Sequence, residues 1–293
     1  MKVAYFPGCT ASASGKDMEK ATQAVLPKFD IFLKEVPDWN CCGATSAHSV
    51  NQLLSLALPL RVLAQAETME GIDPVITAPC AACYNRLKRA DWAFKSDIPA
   101  MHELREKWEV RYKGTLEVKH NLQLMHETDA MSRIKELLQR PLEGLKVACY
   151  YGCLLTRTPE VTGGWDSAEY PQTMDDILRA TGAEVVEWAY KTECCGASFT
   201  LTFPQVIANL SGSILQNAID SGANAIVTAC PFCQMNLEVR QAEASRAKGR
   251  ELAIPVYNFL ELVGVAIGMS PEELGLTMHV KDMLTPLRVL NLL

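Results

Sequence analysis

The chain has 293 residues, a formal net charge of −6 and an isoelectric point near 5.5. This length suits one large domain or two of ordinary size, and the acidic balance argues against nucleic acid as a general partner. A hydrophobic content of 48% and a mean hydropathy of +0.02 indicate a well-filled core. Pro59, Arg61 and Glu261 interrupt the longest apolar stretches, so no membrane span is expected.

The start of the sequence, from Met1 to Cys9, has no apolar export segment. We therefore expect a cytoplasmic protein. The eleven cysteines would then lie in a reducing compartment, where metal binding or redox chemistry is favoured over a disulfide framework.

Strands and helices are predicted to alternate along the chain, which is typical of α/β layers around a mostly parallel sheet. In the first half, strands are predicted at residues 2–6, 31–33, 74–78 and 116–119, and helices near 17–29, 47–69, from Cys80 onward, and 121–139. Residues 97–113 are charged and predict an exposed helix or excursion. Near the end, the capping-box sequence Ser270-Pro271-Glu272-Glu273 predicts a helix start.

The sequence then repeats itself with a period near 145 residues. The block Lys146–Cys153 matches Lys2–Cys9 at a constant offset of 144 residues, and two later blocks echo earlier ones in the same order. A period this long is the length of a domain rather than of a solenoid repeat. We predict a tandem duplication that gives two homologous α/β domains with pseudo-two-fold symmetry, at residues 1–143 and 144–293.

Each half carries five cysteines in one pattern: a single cysteine, a Cys-Cys-Gly run and a Cys-x-x-Cys pair. The ten residues are Cys9, Cys41, Cys42, Cys80 and Cys83, and Cys153, Cys194, Cys195, Cys230 and Cys233. All ten follow predicted strands, where ligand sites of open α/β sheets collect. The eleventh, Cys149, aligns with Tyr5 and is therefore not expected to be a ligand.

Adjacent cysteines bridge each other only with strain, but they can present two thiolates to one polynuclear metal centre. A structural zinc site in each half remains an alternative, although five thiols are one too many for tetrahedral zinc. A thioredoxin-like redox pair at Cys230 and Cys233 is a second alternative, but it leaves the double cysteines unexplained. The pattern favours a redox-active metal cluster in each half.

With these motifs, the chain resembles the cysteine-rich CCG domain, present twice, and from end to end it resembles the B subunit of heterodisulfide reductases. The ten cysteines in register carry the resemblance, together with Tyr-Phe-Pro-Gly-Cys at 5–9, Thr-Ala-Cys-Pro-Phe-Cys at 228–233 and Glu-Glu-Leu-Gly-Leu at 272–276. The resemblance implies one noncubane [4Fe–4S] cluster in each domain, held by that domain's five cysteines. It also implies a cleft in which a disulfide, such as that of coenzyme M and coenzyme B, is reduced to thiols.

The sequence shows no dinucleotide fingerprint and no ferredoxin-type cysteine run. The resemblance accordingly implies two partners that supply electrons: a small ferredoxin-like subunit with cubane clusters, which is the C component of such a complex, and a flavoprotein, which is its A component. An alternative is a CCG-domain protein that relays electrons in another oxidoreductase complex without turning over a disulfide.

Other candidate residues are weaker. His48, near the first double cysteine, is expected to cap or pack, with substrate binding or protonation as the alternative; the other four histidines show no spacing typical of a metal site. Tyr5, Tyr150 and Tyr151 flank ligands and are expected to shield them from water. Trp39 and Trp188 precede the double cysteines and are interpreted as packing lids. The apolar end from Leu287 to Leu293 is expected to pack across the two halves or against a partner.

Overall fold

The computed structural model of the chain describes residues 1–45, 47–199 and 202–293. Over these residues it contains two four-stranded parallel sheets, one in each half. The strands are β1 (Lys2–Tyr5), β2 (Phe32–Glu35), β3 (Val75–Ala78), β4 (Glu117–His120), β5 (Lys146–Tyr150), β6 (Glu184–Val185), β7 (Ala225–Thr228) and β8 (Val256–Asn258).

The helices connect successive strands, as parallel pairing requires. In the first half they are α1 (Gly8–Ala11), α2 (Lys16–Val25), α3 (Ala47–Val50), α4 (Gln52–Glu67), α5 (Ala81–Lys95), α6 (Pro99–Lys107), α7 (Asn121–Glu127) and α8 (Ala130–Leu137), with a 3₁₀ turn at Leu26–Phe29. In the second half they are α9 (Pro159–Thr162), α10 (Thr173–Ala180), α11 (Pro204–Asp220), α12 (Pro231–Val239), α13 (Gln241–Lys248), α14 (Phe259–Ala266) and α15 (Leu284–Val289), with 3₁₀ turns at Ala197–Phe199 and Leu276–Met278.

The strand orders of the two sheets correspond. The first sheet runs β2-β1-β3-β4 and the second β6-β5-β7-β8, each pair being parallel. The inner strands β3 and β7 are buried along their whole length, as expected for a parallel sheet covered by helices on both faces. This correspondence confirms the predicted α/β fold and tandem duplication. The boundary between residues 143 and 144 stays a prediction.

The two halves are joined by packing and by polar contacts. Helix α14 of the second half packs on α2 of the first, and α9 packs on α5. In the loop that follows Cys153, the carbonyls of Leu154 and Arg157 each accept a hydrogen bond of 2.9 Å from Nδ2 of Asn85 in α5. We call the surface along which the halves meet the seam. The strands of both sheets end, at their carboxyl edges, in loops near the seam. The seam therefore helps to position the cysteines that follow these strands.

The predicted helix start at Ser270 is wrong, although its capping bonds form. Ser270 N donates to Glu273 Oε2 at 2.9 Å, and Glu273 N donates to Ser270 Oγ at 3.2 Å. The segment makes only turns up to residue 275, because Gly275 has φ of +75° and its ideal Cβ position lies 2.8 Å from the Asp17 carbonyl oxygen. The left-handed glycine ends the first helical turn against α2.

The apolar end packs back onto the connection between the halves. Leu287 and Leu292 are buried, Arg140 Nη1 donates to the Leu292 carbonyl at 3.1 Å, and Leu290 lies against Gly144. This arrangement agrees with the expectation that the end packs across the halves.

Candidate metal centres

The five cysteines of the first half lie together at the carboxyl edge of its sheet. The Sγ atoms of Cys41 and Cys9 are 4.0 Å apart, and those of Cys42 and Cys83 are 3.3 Å apart. Disulfide sulfurs would be about 2.05 Å apart. Thiolates that share one tetrahedral metal, with metal–sulfur bonds of about 2.3 Å, lie about 3.8 Å apart. The spacing therefore fits sulfurs gathered around shared metal ions.

The second half repeats this arrangement. The Sγ atoms of Cys195 and Cys233 are 3.5 Å apart, Cys194 contacts Cys153, and Cys230 contacts Cys233. All eleven cysteines of the chain are free thiols. Cys80 and Cys230 stand at the N-caps of α5 and α12, where free N–H groups and the helix dipole favour thiolate.

The glycine of each Cys-Cys-Gly run turns the backbone so that its own N–H meets a sulfur. Gly43 and Gly196 have φ of +75° and +80°, in the left-handed region that favours glycine. Their N–H groups donate to the Sγ atoms of Cys41 and Cys194, each at 3.4 Å. Each Cys-Cys-Gly run therefore supplies a backbone donor to the first of its two sulfurs.

These contacts shift the acidity of the exposed thiols. Contacts with the thiols of Cys42 and Cys9, together with the N–H of Gly43, lower the pKa of Cys41 to about 2. Contact with the Cys153 thiol, together with the N–H of Gly196, lowers the pKa of Cys194 to about 6. Thiolate is the form of cysteine that binds metals. The two halves thus favour a metal ligand at the same position of the repeat.

Glycines also clear space beside the Cys-x-x-Cys pairs. An ideal Cβ on Gly8 would lie 2.9 Å from Cys83 Sγ, and one on Gly152 would lie 3.2 Å from Cys233 Sγ. A methyl group at Gly8 would therefore displace a proposed ligand.

We expect Gly8→Ala to lower the iron content of the anaerobically purified chain by roughly half, because one of two cluster sites is disturbed. Gly71→Ala is the matched control: Gly71 also has a positive φ, +68°, but no atom of the described residues lies within 4 Å of its ideal Cβ. It should cost about 1 kcal/mol of stability and leave the iron content unchanged. Equal iron in both variants would show that Gly8 does not shape the site.

The two cysteine groups meet at the seam. The thiols of Cys80 and Cys230, one from each half, lie close enough to shift each other's pKa. The Cys230 thiol raises the pKa of Cys80. The pKa of Cys230 is lowered, mainly by Cys233 and to a smaller extent by Cys80. A cavity of about 70 Å³ lies against all five second-half ligand candidates and is closed on its other side by first-half residues Ala44, Thr45, Ala81 and Ala82. The two candidate centres are therefore neighbours.

Aromatic pairs pack below the centres at equivalent positions of the repeat. Phe6 meets Trp39 edge-on with ring centroids 5.6 Å apart, and Tyr150 meets Trp188 at 6.2 Å. Phe6, Tyr150 and Trp188 are almost fully buried, whereas Trp39 is only partly buried. Both tryptophans pack as expected, and the shielding of the centres by Tyr150 stays a prediction. The pairs differ in one atom: the Tyr150 hydroxyl donates to the Glu193 carbonyl at 2.6 Å, next to Cys194, where Phe6 has no equivalent group.

The other two tyrosines singled out in the sequence donate their hydroxyl hydrogen bonds to carboxylates rather than to sulfurs. The Tyr5 hydroxyl donates to Glu19, and the Tyr151 hydroxyl donates to Asp175 Oδ2 at 2.6 Å. Cys149 lies buried within β5, and burial raises its pKa well above the ordinary value. The groups that act on this thiol are Asp175, Lys191 and Arg179 rather than other cysteines, and its exclusion from the ligand set stays a prediction.

His120, which sequence reasoning set aside, lies between the two centres. Its Nε2 is 3.1 Å from the carbonyl oxygen of Pro79, its Nδ1 accepts from Leu122 N at 3.1 Å, and it interacts with Ala229 and Cys230 across the seam. Burial lowers its pKa to about 4, so the ring is neutral near pH 7. The sequence repeat could have pointed to this residue. His120 ends β4 and caps α7 in the first half, and Asn258 ends β8 and caps α14 at the corresponding position of the second. The side chain of His48 lies outside the described residues.

Comparison with known proteins identifies the class. The cysteine-rich domain (CCG) family matches residues 3–88 and 147–238, one match in each half. The chain belongs to this family.

Two relatives cover nearly the whole chain. The chain is 34% identical to the 8-methylmenaquinol:fumarate reductase membrane anchor subunit of Wolinella succinogenes, over 95% of this chain and 96% of that protein. It is 31% identical to the B subunit of the ferredoxin/F420H2-dependent CoB-CoM heterodisulfide reductase of Methanosarcina acetivorans, over 94% of this chain and 92% of that protein. Both relatives are named as subunits of reductases. Together with the clustered thiols, they suggest iron–sulfur clusters.

A solved structure shares the fold. A hypothetical protein from Helicobacter pylori matches with a TM-score of 0.75 at 14% identity; the match covers 95% of this chain but about half, 51%, of that one. At this identity the match supports the fold alone. Among the described residues, every helix is too short or too polar to cross a bilayer.

Proposed function

We propose that this chain is the disulfide-reducing subunit of a heterodisulfide reductase-like complex. In this proposal it holds two noncubane [4Fe–4S] clusters, one in each half. The proposed ligands are Cys9, Cys41, Cys42, Cys80 and Cys83 for the first cluster, and Cys153, Cys194, Cys195, Cys230 and Cys233 for the second. The substrate is a small-molecule disulfide of the coenzyme M–coenzyme B type or a related one. The cytoplasmic location stays a prediction.

The observation that carries the proposal is the contact of Cys80 with Cys230 at the seam. Reduction of a disulfide breaks one S–S bond, consumes two electrons and two protons, and yields two thiols. Iron–sulfur clusters, when bound, supply electrons singly. Two adjoining centres can therefore deliver both electrons to the two sulfurs of one substrate in a shared cleft.

The chain's own residues would hold and shield this chemistry. The N–H groups of Gly43 and Gly196 stabilise charge on the outermost sulfurs, at Cys41 and Cys194. Phe6 and Tyr150 close the centres from below and exclude water. Between the centres, the neutral His120 ring fixes the Pro79 carbonyl just before Cys80, which positions the seam without adding charge.

Electrons are proposed to arrive from a small ferredoxin-like partner that receives them from a flavoprotein partner. The 31% identity to the B subunit of a heterodisulfide reductase over 94% of the chain supports this choice of partners. The second candidate is a relay of electrons within a complex that does not reduce disulfides. The 34% identity to a component of a fumarate reductase supports this second candidate.

Metal analysis and turnover separate these functions. Anaerobically purified protein should be brown and contain about eight irons per chain, from two four-iron clusters. With a reduced viologen as electron donor, it should convert a small disulfide to two thiols per two electrons consumed. Iron without thiol production from any disulfide tested would favour the relay. A colourless protein with one or two zinc ions would contradict both.

A further inference from the structure

A second cluster of ligand-type side chains lies at the seam, formed without any cysteine. Asp17 of α2 comes from the first half, whereas Glu238 of α12, Glu261 of α14 and His279 of the C-terminal segment come from the second. The side chains of His279 and Glu261 are fully buried, and those of Glu238 and Asp17 are 5% and 10% exposed. None of these residues takes part in the function proposed above.

The geometry is that of a histidine held for a metal. On one side of the ring, His279 Nδ1 lies 2.9 Å from Glu238 Oε2. On the other, Nε2 lies 2.9 Å from Glu261 Oε1 and 3.4 Å from Asp17 Oδ2. The three atoms offered by Asp17, Glu261 and His279 all lie within 4.8 Å of one another. Ligands of one tetrahedral ion, with bonds of about 2.0–2.1 Å, are about 3.3 Å apart, close to both measured separations.

Charge gives an independent reason for a cation. With three carboxylates and one imidazolium ionised, the group carries an excess of two negative charges. Among the described residues, no lysine or arginine side chain forms an ion pair with Asp17, Glu238 or Glu261; Glu238 receives only the backbone N–H of Lys281, at 2.8 Å. Buried charge of one sign is costly unless a counter-charge or coordination offsets it. A divalent ion would offset the excess.

A buried amide oxygen without a partner is the third observation. Gln234 is 4% exposed, and its Nε2 donates to Asp17 Oδ2, which fixes the orientation of the amide. Its Oε1 is buried and finds no hydrogen-bond partner among the residues that the structure describes. Gln234, Asp17, Glu238 and His279 line one cavity of about 40 Å³, enough for a water-sized occupant. An amide oxygen is a suitable ligand or water acceptor beside a hard cation.

We propose that Asp17, Glu261 and His279 bind one divalent metal ion at the seam, with Glu238 orienting the imidazole and Gln234 beside the ion. The Glu238–His279 contact is the carboxylate–histidine–metal arrangement that fixes the ring and its tautomer. The ion replaces the proton on Nε2, so binding releases that proton to solvent. Since Asp17 belongs to one half and the other ligands to the other, the ion ties the halves together. It stabilises the folded chain because the site is assembled only there.

Manganese(II) is the probe, because oxygen ligands suit it whereas thiolates select zinc or iron. The cluster-loaded chain, stripped of loosely bound metal by a chelator, is titrated with MnCl2 and free Mn²⁺ is followed by electron paramagnetic resonance. We expect one Mn²⁺ per chain and a melting temperature that rises with Mn²⁺ concentration. Asp17→Asn should weaken binding at least tenfold, and Glu238→Gln by 10- to 100-fold, the range usual for an outer-shell carboxylate.

His102→Ala is the matched control, since His102 is exposed and paired with Asp97. It should leave Mn²⁺ binding unchanged. One tightly held zinc or manganese per wild-type chain that the chelator does not remove, and that Asp17→Asn or Glu238→Gln lacks, would also support the site. Absence of any bound divalent ion in the wild type, or binding that neither variant weakens, would overturn it. Stability lost in the variants without any Mn²⁺ binding by the wild type would identify an ion-pair cluster instead.

Discussion

Replacing Cys42 or Cys195 with alanine, each on its own, is expected to abolish disulfide reduction and to halve the iron content to about four per chain. Both sulfurs are buried and lie within 3.5 Å of a Cys-x-x-Cys sulfur, at 3.3 Å from Cys83 and 3.5 Å from Cys233. If the two electrons come from two centres, either loss leaves the substrate one electron short. Iron analysis and thiol release from a disulfide, measured on the same preparation, test this.

Cys149→Ala is the control for these variants, because Cys149 is also a buried cysteine but lies inside β5, away from the ligand set. It should keep about eight irons and nearly all of the turnover. If Cys42→Ala or Cys195→Ala kept most of the turnover while losing four irons, one centre would suffice. The paired mechanism would then be wrong, and the electron relay would take its place.

Replacing Lys191 with methionine is expected to lower the free energy of unfolding by about 3–5 kcal/mol. Lys191 and Asp175 form an ion pair with both side chains at most 1% exposed, and Lys191 Nζ also donates to the Pro171 carbonyl at 3.2 Å. Desolvation raises the pKa of Asp175 even beside this lysine, because the carboxylate is fully buried. Without Lys191, the buried Asp175 carboxylate would be left with the Tyr151 hydroxyl and the more distant Arg179 guanidinium, at 3.9 Å, or would take up a proton. Urea unfolding measures the loss.

Two further variants isolate the cause. Adding Asp175→Asn to Lys191→Met removes the stranded charge but keeps an acceptor for the Tyr151 hydroxyl, so the double variant should recover more than half of the lost stability. Arg250→Met breaks an exposed pair with Asp220 and should cost less than about 1 kcal/mol. A cost of Lys191→Met as small as that of Arg250→Met would show that the buried pair does not stabilise the fold.

The position of this ion pair bears on the second centre. The backbone carbonyl of Lys191 accepts hydrogen bonds from Tyr151 N at 2.8 Å and Gly152 N at 3.1 Å, directly before Cys153. Its ammonium group also lies 4.5 Å from the centre of the Tyr170 ring. Loss of the pair would therefore loosen the loop that presents Cys153, and we interpret Lys191 as a positioning residue for that cysteine.

The sequence alone determined the features that depend on local pattern. The alternation of strands and helices, the 144-residue offset of Lys146–Cys153 from Lys2–Cys9 and the two equal sets of five cysteines are all readable along the chain. Parallel strands bring their carboxyl ends to one edge, so grouping of each set followed from the strand predictions alone. The exclusion of Cys149 followed from its alignment with Tyr5 in the middle of a strand.

Only the tertiary structure decided what happens where the halves meet. The contact of Cys80 with Cys230, the position of His120 beside Cys230 and the grouping of Asp17 with Glu261 and His279 bring together residues 110 to 262 positions apart. No periodicity encodes the angle at which two domains pack, because that angle comes from the fit of complete surfaces. The capping box at Ser270 illustrates how local sequence fails to predict such packing. Its local hydrogen bonds form, but the packing of Gly275 against Asp17 keeps the segment from continuing as a helix.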